Sequence, residues 1–282
     1  MSVRVACCQV ALAVGEAGRN RGKVLEAAER AAREGAGIVV LPELSNSGYV
    51  FHDLGEAHRL AEPLDGPTVG GWMDLSRRSG AVVVGGLCED RGGCISNTAV
   101  LVDPSGEVTV YRKAHLWGEE TLFFEPGDEE PPVVETDFGR IGGVICYDLE
   151  FPEWVRIVAL TGCDILCAPT NWPLYPRPAG ERPMEVVRVQ ANAATNRIFI
   201  AACDRAGPER GVRWVEGSVI ADPDGWPLAG PREGEGIISA SCDLEAARDK
   251  RIGERNDVFT DRRPELYGDV VKTNEERRQE AR

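Results

Sequence analysis

One of the chain's nine cysteines sits where a thiol could react. Cys146 follows the apolar run Ile141-Gly142-Gly143-Val144-Ile145. It precedes Tyr147-Asp148-Leu149-Glu150-Phe151-Pro152-Glu153, in which Pro152 and Glu153 read as the first turn of a helix. A thiol at a strand-to-helix turn is held out of the core, near backbone N–H groups and the positive end of a helix. Both features favour a thiolate and can bind a developing oxyanion. The alternative reading is one more buried packing cysteine. A cysteine nucleophile also needs a base. His52, His58 and His115 are the only histidines, so a Cys-His arrangement has few options. Glu43 ends the apolar run Ile38 to Pro42, and Lys113 ends the run Val108 to Arg112. If three strand ends converge, the glutamate can accept the thiol proton and the lysine can stabilise a tetrahedral oxyanion. Taken singly, Glu43 and Lys113 also read as ordinary solvated charges.

The elements that must position these residues are legible from periodicity. Arg4 to Val10 is a short apolar run expected to be a buried strand. From Gly18 to Glu34, Val24, Ala27, Ala28 and Ala31 recur at helical spacing, and Gly35 and Gly37 stop the helix. Gly37 to Leu41 is a second strand, ended by Pro42. A helix over Thr68 to Ser79 and a strand over Ala81 to Leu87 repeat the alternation. Three hairpins follow from turn chemistry, around Asp103-Pro104-Ser105-Gly106, Asp137-Phe138-Gly139-Arg140 and Asp222-Pro223-Asp224-Gly225. Between the last two fall a helix (Pro152 to Leu160), a strand (Asp164 to Pro169), a helix (Pro183 to Thr195) and a strand (Ile198 to Cys203). Alternation plus hairpins implies an α/β fold with mixed sheets and helices outside. No linker or repeat interrupts the chain, so residues 1–271 read as one domain and 272–282 as a polar tail.

Composition narrows the function. The 282 residues carry 46 acids against 32 bases, a formal charge of −14, which excludes a basic nucleic-acid-binding face. No apolar run is long enough to cross a bilayer, and the first residues do not read as a secretion signal. The cysteines are odd in number and scattered in apolar runs. That pattern suits reduced thiols in a cytoplasm and not a disulfide framework. Cys163 and Cys167 lack a second pair at zinc-ligand spacing, so no metal site is expected.

Leu41-Pro42-Glu43-Leu44, Tyr111-Arg112-Lys113-Ala114-His115-Leu116 and Gly143-Val144-Ile145-Cys146-Tyr147-Asp148 occur in this order, each at an expected strand end. Together they resemble the three signatures of the nitrilase superfamily, the carbon–nitrogen hydrolases. Further pieces of the resemblance are Phe124 to Asp128, Pro169-Thr170-Asn171 and Asp261 to Tyr267, so it runs over nearly the whole chain. It implies a four-layer α-β-β-α sandwich, paired into a homodimer or larger assembly. It implies Glu43 as general base, Lys113 as oxyanion stabiliser, Cys146 as nucleophile and the Tyr147 amide as a second oxyanion donor. Glu120 corresponds to a further glutamate beside the cysteine, although Glu119 adjoins it. The implied reaction is two-step acyl transfer through a thioester at Cys146, with no metal or organic cofactor.

The resemblance implies a small-molecule substrate: an amide first, an N-carbamoyl compound or a nitrile as alternatives. A non-catalytic binding module is opposed by the presence of Glu43, Lys113 and Cys146. Many relatives carry arginine where Glu150 stands, which lowers the carbamoylase reading; Glu150 could meet an amine or serve as a helix N-terminal charge. Tyr49, Trp117, Asn171 and Trp172 are expected around the pocket, and Arg177 and Arg182 could meet a substrate carboxylate or stay solvated. Asn192 to Asn196 departs from the family's usual Arg-Ala-x-Glu-Asn at this point.

Overall fold

A computed structural model describes residues 2–280; Met1 and residues 281–282 lie outside the described part. Residues up to Asp249 form one compact unit and those from Lys250 onward a second.

The first unit is built on two six-stranded mixed sheets. Its strands are β1 (Ser2–Gln9), β2 (Ile38–Val40), β3 (Val82–Asp90), β4 (Ile95–Val102), β5 (Val108–Arg112), β6 (Val133–Thr136), β7 (Gly139–Gly143), β8 (Ile165–Pro169), β9 (Phe199–Cys203), β10 (Val219–Ala221), β11 (Pro227–Ala229) and β12 (Gly236–Asp243). One sheet runs β12-β1-β2-β3-β4-β5 and the other β11-β10-β9-β8-β7-β6. In each, a parallel centre (β1-β2-β3; β7-β8-β9) is flanked by antiparallel strands. The helices are α1 (Ala17–Arg33), α2 (Leu54–Leu60), α3 (Pro67–Ser79), α4 (Pro152–Leu160) and α5 (Met184–Asn196).

The layering follows from two-sided burial of the strands. In β1, Val5 and Cys7 face the other sheet, while Ala6 and Cys8 face the helices. Ile38, Val40, Val82 and Val84 meet Ile141, Ile165, Cys167, Phe199 and Cys203 between the sheets. Val39, Leu41 and Val83 meet Val24 and Ala28 of α1 and Val69 and Trp72 of α3 on the outer face. Burying each such Val, Ile or Phe contributes about 1.5–3 kcal/mol. On the second sheet α5 packs against β9 and β10, and Val158 of α4 lies over Gly142 of β7. The result is the α-β-β-α sandwich.

Most expected elements occur within a residue or two of their limits. Helix α1 ends as its glycines require, with Gly35 at φ +89°. Two elements were not anticipated. Helix α2 is short, polar and capped by Asp53, whose side chain accepts from the Glu56 N–H. Strand β12 pairs along the whole of β1, from Ser2↔Asp243 to Gln9↔Gly236. The turn after Cys146 also differs from expectation: Cys146–Glu150 is a 3-10 helix, and α4 begins only at Pro152.

The second unit has 3-10 turns at Pro264–Leu266 and Gly268–Val271, then α6 (Asn274–Glu280), which lies in the stretch expected as a polar tail.

Candidate active site

Strand ends deliver the candidate residues to one place. Glu43 stands three residues past β2, Lys113 directly follows β5 and Cys146 lies three residues past β7. Gly86 of β3 makes the approach of the Glu43 segment possible. A Cβ there would fall 2.4 Å from the Glu43 Cα and 2.6 Å from the Leu44 N, so only glycine lets this segment lie against the strand.

The floor of the site is a buried charge cluster. Lys113 Nζ donates to Glu43 Oε1 at 2.7 Å and to Glu120 Oε1 at 2.8 Å, with all three side chains essentially inaccessible. Asn97 Nδ2 donates to Glu43 Oε1 at 2.7 Å. Tyr49 OH donates to Glu120 Oε1 at 2.6 Å, and the Trp117 N–H donates to Glu120 Oε2 at 3.0 Å. Of the two adjacent glutamates, Glu120 is therefore in the cluster, while Glu119 is exposed. Glu43 Oε2 is buried and accepts no hydrogen bond. Burial pushes the Glu43 carboxyl up to about 7, against the opposing pull of Lys113. Burial alone would discharge Lys113, but Glu120 and Glu43 outweigh it and hold the ammonium charged.

Cys146 is buried and within electrostatic reach of Glu43, Lys113 and Glu120, and its backbone adopts the left-handed φ of +45°. That conformation costs a non-glycine residue about 1–2 kcal/mol and persists because the surroundings fix it. Its thiol donates to the Asn171 carbonyl at 3.8 Å, and Asn171 Nδ2 donates to the Glu43 carbonyl at 3.0 Å. The expectation of a ready thiolate is corrected here. Burial, and then the Glu43 charge, push the Cys146 thiol well above its ordinary range, and Lys113 only partly offsets this. The intervening 3-10 helix also separates Cys146 from the start of α4.

A second network joins the segments carrying Lys113 and Cys146. The fully buried Asp148 accepts from Tyr111 OH at 2.8 Å and from the Ile145 N–H at 3.0 Å through Oδ2. Through Oδ1 it accepts from the His115 N–H at 3.2 Å, and the His115 ring Nδ1 lies 2.8 Å away. The His115 ring stacks on Phe151, centroids 3.7 Å apart. One carboxylate thus ties residues on both sides of Lys113 to the residue before Cys146.

A cavity of about 540 Å³ adjoins the cluster. Tyr49, Trp117, Glu120, Phe123, Leu174 and Trp214 are among its lining residues. Tyr49 and Trp117, expected around the pocket, are there. Tyr147 packs edge-on against Trp117, ring centroids 4.8 Å apart, without lining the cavity. Asn171 and Trp172 do not line it either: both are buried, Asn171 in the bonds above and Trp172 through its N–H to Asp204 Oδ1 at 3.1 Å. Glu150 pairs with Arg188 at 2.7 Å, and Arg182 donates to Gln190 and Arg177 to the Glu181 carbonyl. Among the described residues no group of three His, Cys, Asp or Glu is placed to hold a metal ion.

Sequence reasoning passed over Asn97, Asp148 and the Arg205–Glu209 pair. Asn97 lies in the polar stretch Ser96-Asn97-Thr98 near the start of β4, all of it buried, and nothing in that stretch singled it out. Arg205 and Glu209 form a buried ion pair at 3.0 Å; Glu209 also accepts from the Tyr49 and Val50 N–H groups, and Arg205 lies over the Trp214 ring at 4.6 Å. Their i,i+4 spacing looks like any surface pair, and only the fold reveals that they brace the cavity wall.

The carbon-nitrogen hydrolase family model matches residues 4–252. A nitrilase of Pyrococcus abyssi is 37% identical over 269 residues, 94% of this chain and 99% of that protein. A 2-oxoglutaramate amidase of Bacillus subtilis is 32% identical, over 95% of this chain and all of that protein. The crystal structure of an amidase from Nesterenkonia sp. superposes with a TM-score of 0.78 at 27% identity, covering 95% of this chain and 96% of that one. Another structure of the Nesterenkonia amidase, that of a mutant, has acrylamide added at its active-site cysteine. In sequence and in fold, this chain belongs to the carbon-nitrogen hydrolase family, within the nitrilase superfamily.

Proposed function

We propose that the protein is an amidase that hydrolyses a small amide to a carboxylic acid and ammonia through a thioester on Cys146. The observation that carries this reading is the buried Glu43–Lys113–Glu120 cluster beside a thiol held in a left-handed turn. Cys146 attacks the amide carbonyl carbon and its proton passes to Glu43, whose Oε2 is uncommitted. The Lys113 ammonium and the Tyr147 N–H stabilise the oxyanion. As the tetrahedral intermediate collapses, Glu43 returns the proton to the nitrogen and ammonia leaves. Water then attacks the thioester, again losing its proton to Glu43, and the acid departs as the thiol re-forms. Glu120 takes no proton in this scheme; it holds Lys113 and Tyr49 in place.

The similarity to the 2-oxoglutaramate amidase and to the Nesterenkonia amidase supports amides as the first class. The relative named a nitrilase is the reason to include nitriles in the test. Ammonia release is measured over amides, N-carbamoyl compounds and nitriles, with intact mass recorded under rapid quench. Amide turnover with an acyl adduct on Cys146, absent from Cys146→Ala, is expected. Full activity in Cys146→Ala would sink the assignment, and carbon dioxide released with the ammonia would move it to the carbamoyl class.

A further inference from the structure

Base and nucleophile come from different sheets. Glu43 follows β2 of one sheet and Cys146 follows β7 of the other, so no single ladder sets the distance between them. Both stand at left-handed backbone. Cys146 itself has φ +45°, and Leu44, directly after Glu43, has φ +49°. A residue with a Cβ keeps such a conformation only where its neighbours hold it there.

Asn171 bonds to both turns. It lies two residues past β8, the strand beside β7. Its carbonyl accepts from the Cys146 thiol at 3.8 Å, and its Nδ2 donates across to the Glu43 carbonyl at 3.0 Å. The residues flanking Glu43 and Leu44 are tied the other way, to β3. The Gly86 N–H donates to the Pro42 carbonyl at 3.0 Å, and the Ser45 N–H donates to the Gly86 carbonyl at 2.8 Å. The carbonyl between these two ties is taken by the second sheet, through Asn171.

The mount of Asn171 is itself fixed. The Thr170 N–H donates to the Cys203 carbonyl at 2.9 Å, at the end of β9. The Trp172 N–H donates to Asp204 Oδ1 at 3.1 Å, and the Val215 N–H donates to the Trp172 carbonyl at 2.8 Å. Asp204 is fully buried and also accepts from the Arg205 N–H at 2.9 Å and the Gly217 N–H at 3.0 Å. A residue held on both sides in this way resists drift of the turns it bonds.

We propose that Asn171 is a positioning residue that sets the geometry between Glu43 and Cys146, acting on the base through the Glu43 main chain. This rests on the amidase reading above, in which the thiol proton passes to Glu43. The Asn171 amide satisfies a carbonyl of the turn and so fixes the carboxylate that the turn carries. Its other atom, Oδ1, is buried and accepts no hydrogen bond among the described residues. A direct substrate contact through Oδ1 is therefore the rival role.

Asn171→Leu is close in size and removes the donor. Its kcat should fall roughly 10²-fold, the effect of misplacing the base by about 1 Å, with KM changed less than about twofold. A double-mutant cycle with Glu43→Gln reads whether the loss passes through the base. In the Glu43→Gln background the same substitution should cost less than about threefold in kcat. The rate at which iodoacetamide alkylates Cys146 should lose its rise with pH in Asn171→Leu, as in Glu43→Gln. Where Asn171→Leu does not fold, Asn171→Ser is expected to show the same pattern. Unchanged kcat, or losses that multiply in the cycle, overturn the positioning role and leave the amidase reading intact. Multiplying losses with KM raised about tenfold or more make Asn171 a substrate contact instead. If the wild type hydrolyses no amide, yet the alkylation rise depends on both Glu43 and Asn171, the amidase reading falls and the positioning role stands.

Discussion

In the proposed reaction, Glu43 and Cys146 divide the chemistry between a base that is hard to ionise and a thiol that is harder still. Burial raises both, and the Lys113 ammonium keeps Glu43 within reach of neutral pH at about 7. A base at that value can take a proton and give it back, as the two half-reactions require. Activity should therefore rise with pH through an acid limb near 7 in kcat/KM, because in the proposed reaction the thiol proton passes to the Glu43 carboxylate, which is raised to about 7. Glu43→Gln should lose turnover by roughly 10²–10⁴-fold, the usual contribution of a general base. A pH–rate profile flat from about pH 5 to 8 in the wild type would remove Glu43 from that role. The same shift has a stability consequence. The folded protein binds the Glu43 proton more tightly than the unfolded chain, whose glutamate has its ordinary value of 4.5. Between 4.5 and about 7 the folded state thus carries more protons, and Glu43's contribution to stability falls as pH rises through that window. The Tm of Glu43→Gln minus that of the wild type should increase from about pH 5 to about pH 8. A difference that shrinks would contradict the raised value.

At the scale of elements, the site depends on how closely strand ends can be brought together. Gly86→Ala forces a Cβ to within 2.4 Å of the Glu43 Cα, and backbone has to move. Overpacking of this kind costs about 1–3 kcal/mol. A shift of about 1 Å at the base should lower kcat by roughly 10², which steady-state kinetics on the folded variant would read. Asp148 acts on the other two segments. In Asp148→Asn one oxygen of the carboxylate becomes an NH₂ facing donors, so the tie between the Lys113 and Cys146 segments is half undone. The loss is about 1–3 kcal/mol of stability, and kcat should fall with KM much less affected, because the reacting groups move and the cavity wall does not. Unchanged kcat in a destabilised Asp148→Asn would make the network a structural brace only. These elements were legible to different degrees. Apolar runs and turn residues marked most of the strands and helices, since those features act locally. Strand β12 (Gly236–Asp243) was not seen: its Ser239, Ala240 and Ser241 give a weak alternation, and its partner β1 lies far earlier in the chain. Helix α2 rests on a cap and too few apolar residues to show a period. At the site, the three signature residues were readable at strand ends. Asn97, Asp148 and the Arg205–Glu209 brace were not, because each matters through contacts that only the fold assembles.

Across the whole molecule, the nine thiols test whether the sandwich is closed as drawn. None is in a disulfide, and all but Cys94 are buried. Cys7, Cys167, Cys203 and Cys242 pack between the two sheets, and Cys8 under the helices. Burial pushes the thiols of Cys88 and Cys242 up to about 12, and those of Cys167 and Cys203 well above the ordinary range. Since the thiolate is the reacting species, a buried thiol with no base beside it is inert until the protein opens. Cys146 is raised in the same way, yet Glu43 and Lys113 act on it electrostatically, and in the proposed reaction they accept its proton and stabilise the charge that develops. Accessibility, and the carboxylate beside Cys146, therefore separate the cysteines into three behaviours. Iodoacetamide, itself a small amide, should alkylate the part-exposed Cys94 in the folded protein and Cys146 at a rate that climbs with pH through the Glu43 value. The other seven should react only when the sandwich unfolds. Peptide mapping after a timed exposure reads all nine together. Substrate should protect Cys146 and leave Cys94 untouched, and Glu43→Gln should abolish the pH-dependent rise at Cys146 alone. Prompt labelling of Cys7 or Cys203 in the native protein would mean that the sheets separate far more readily than their shared core implies.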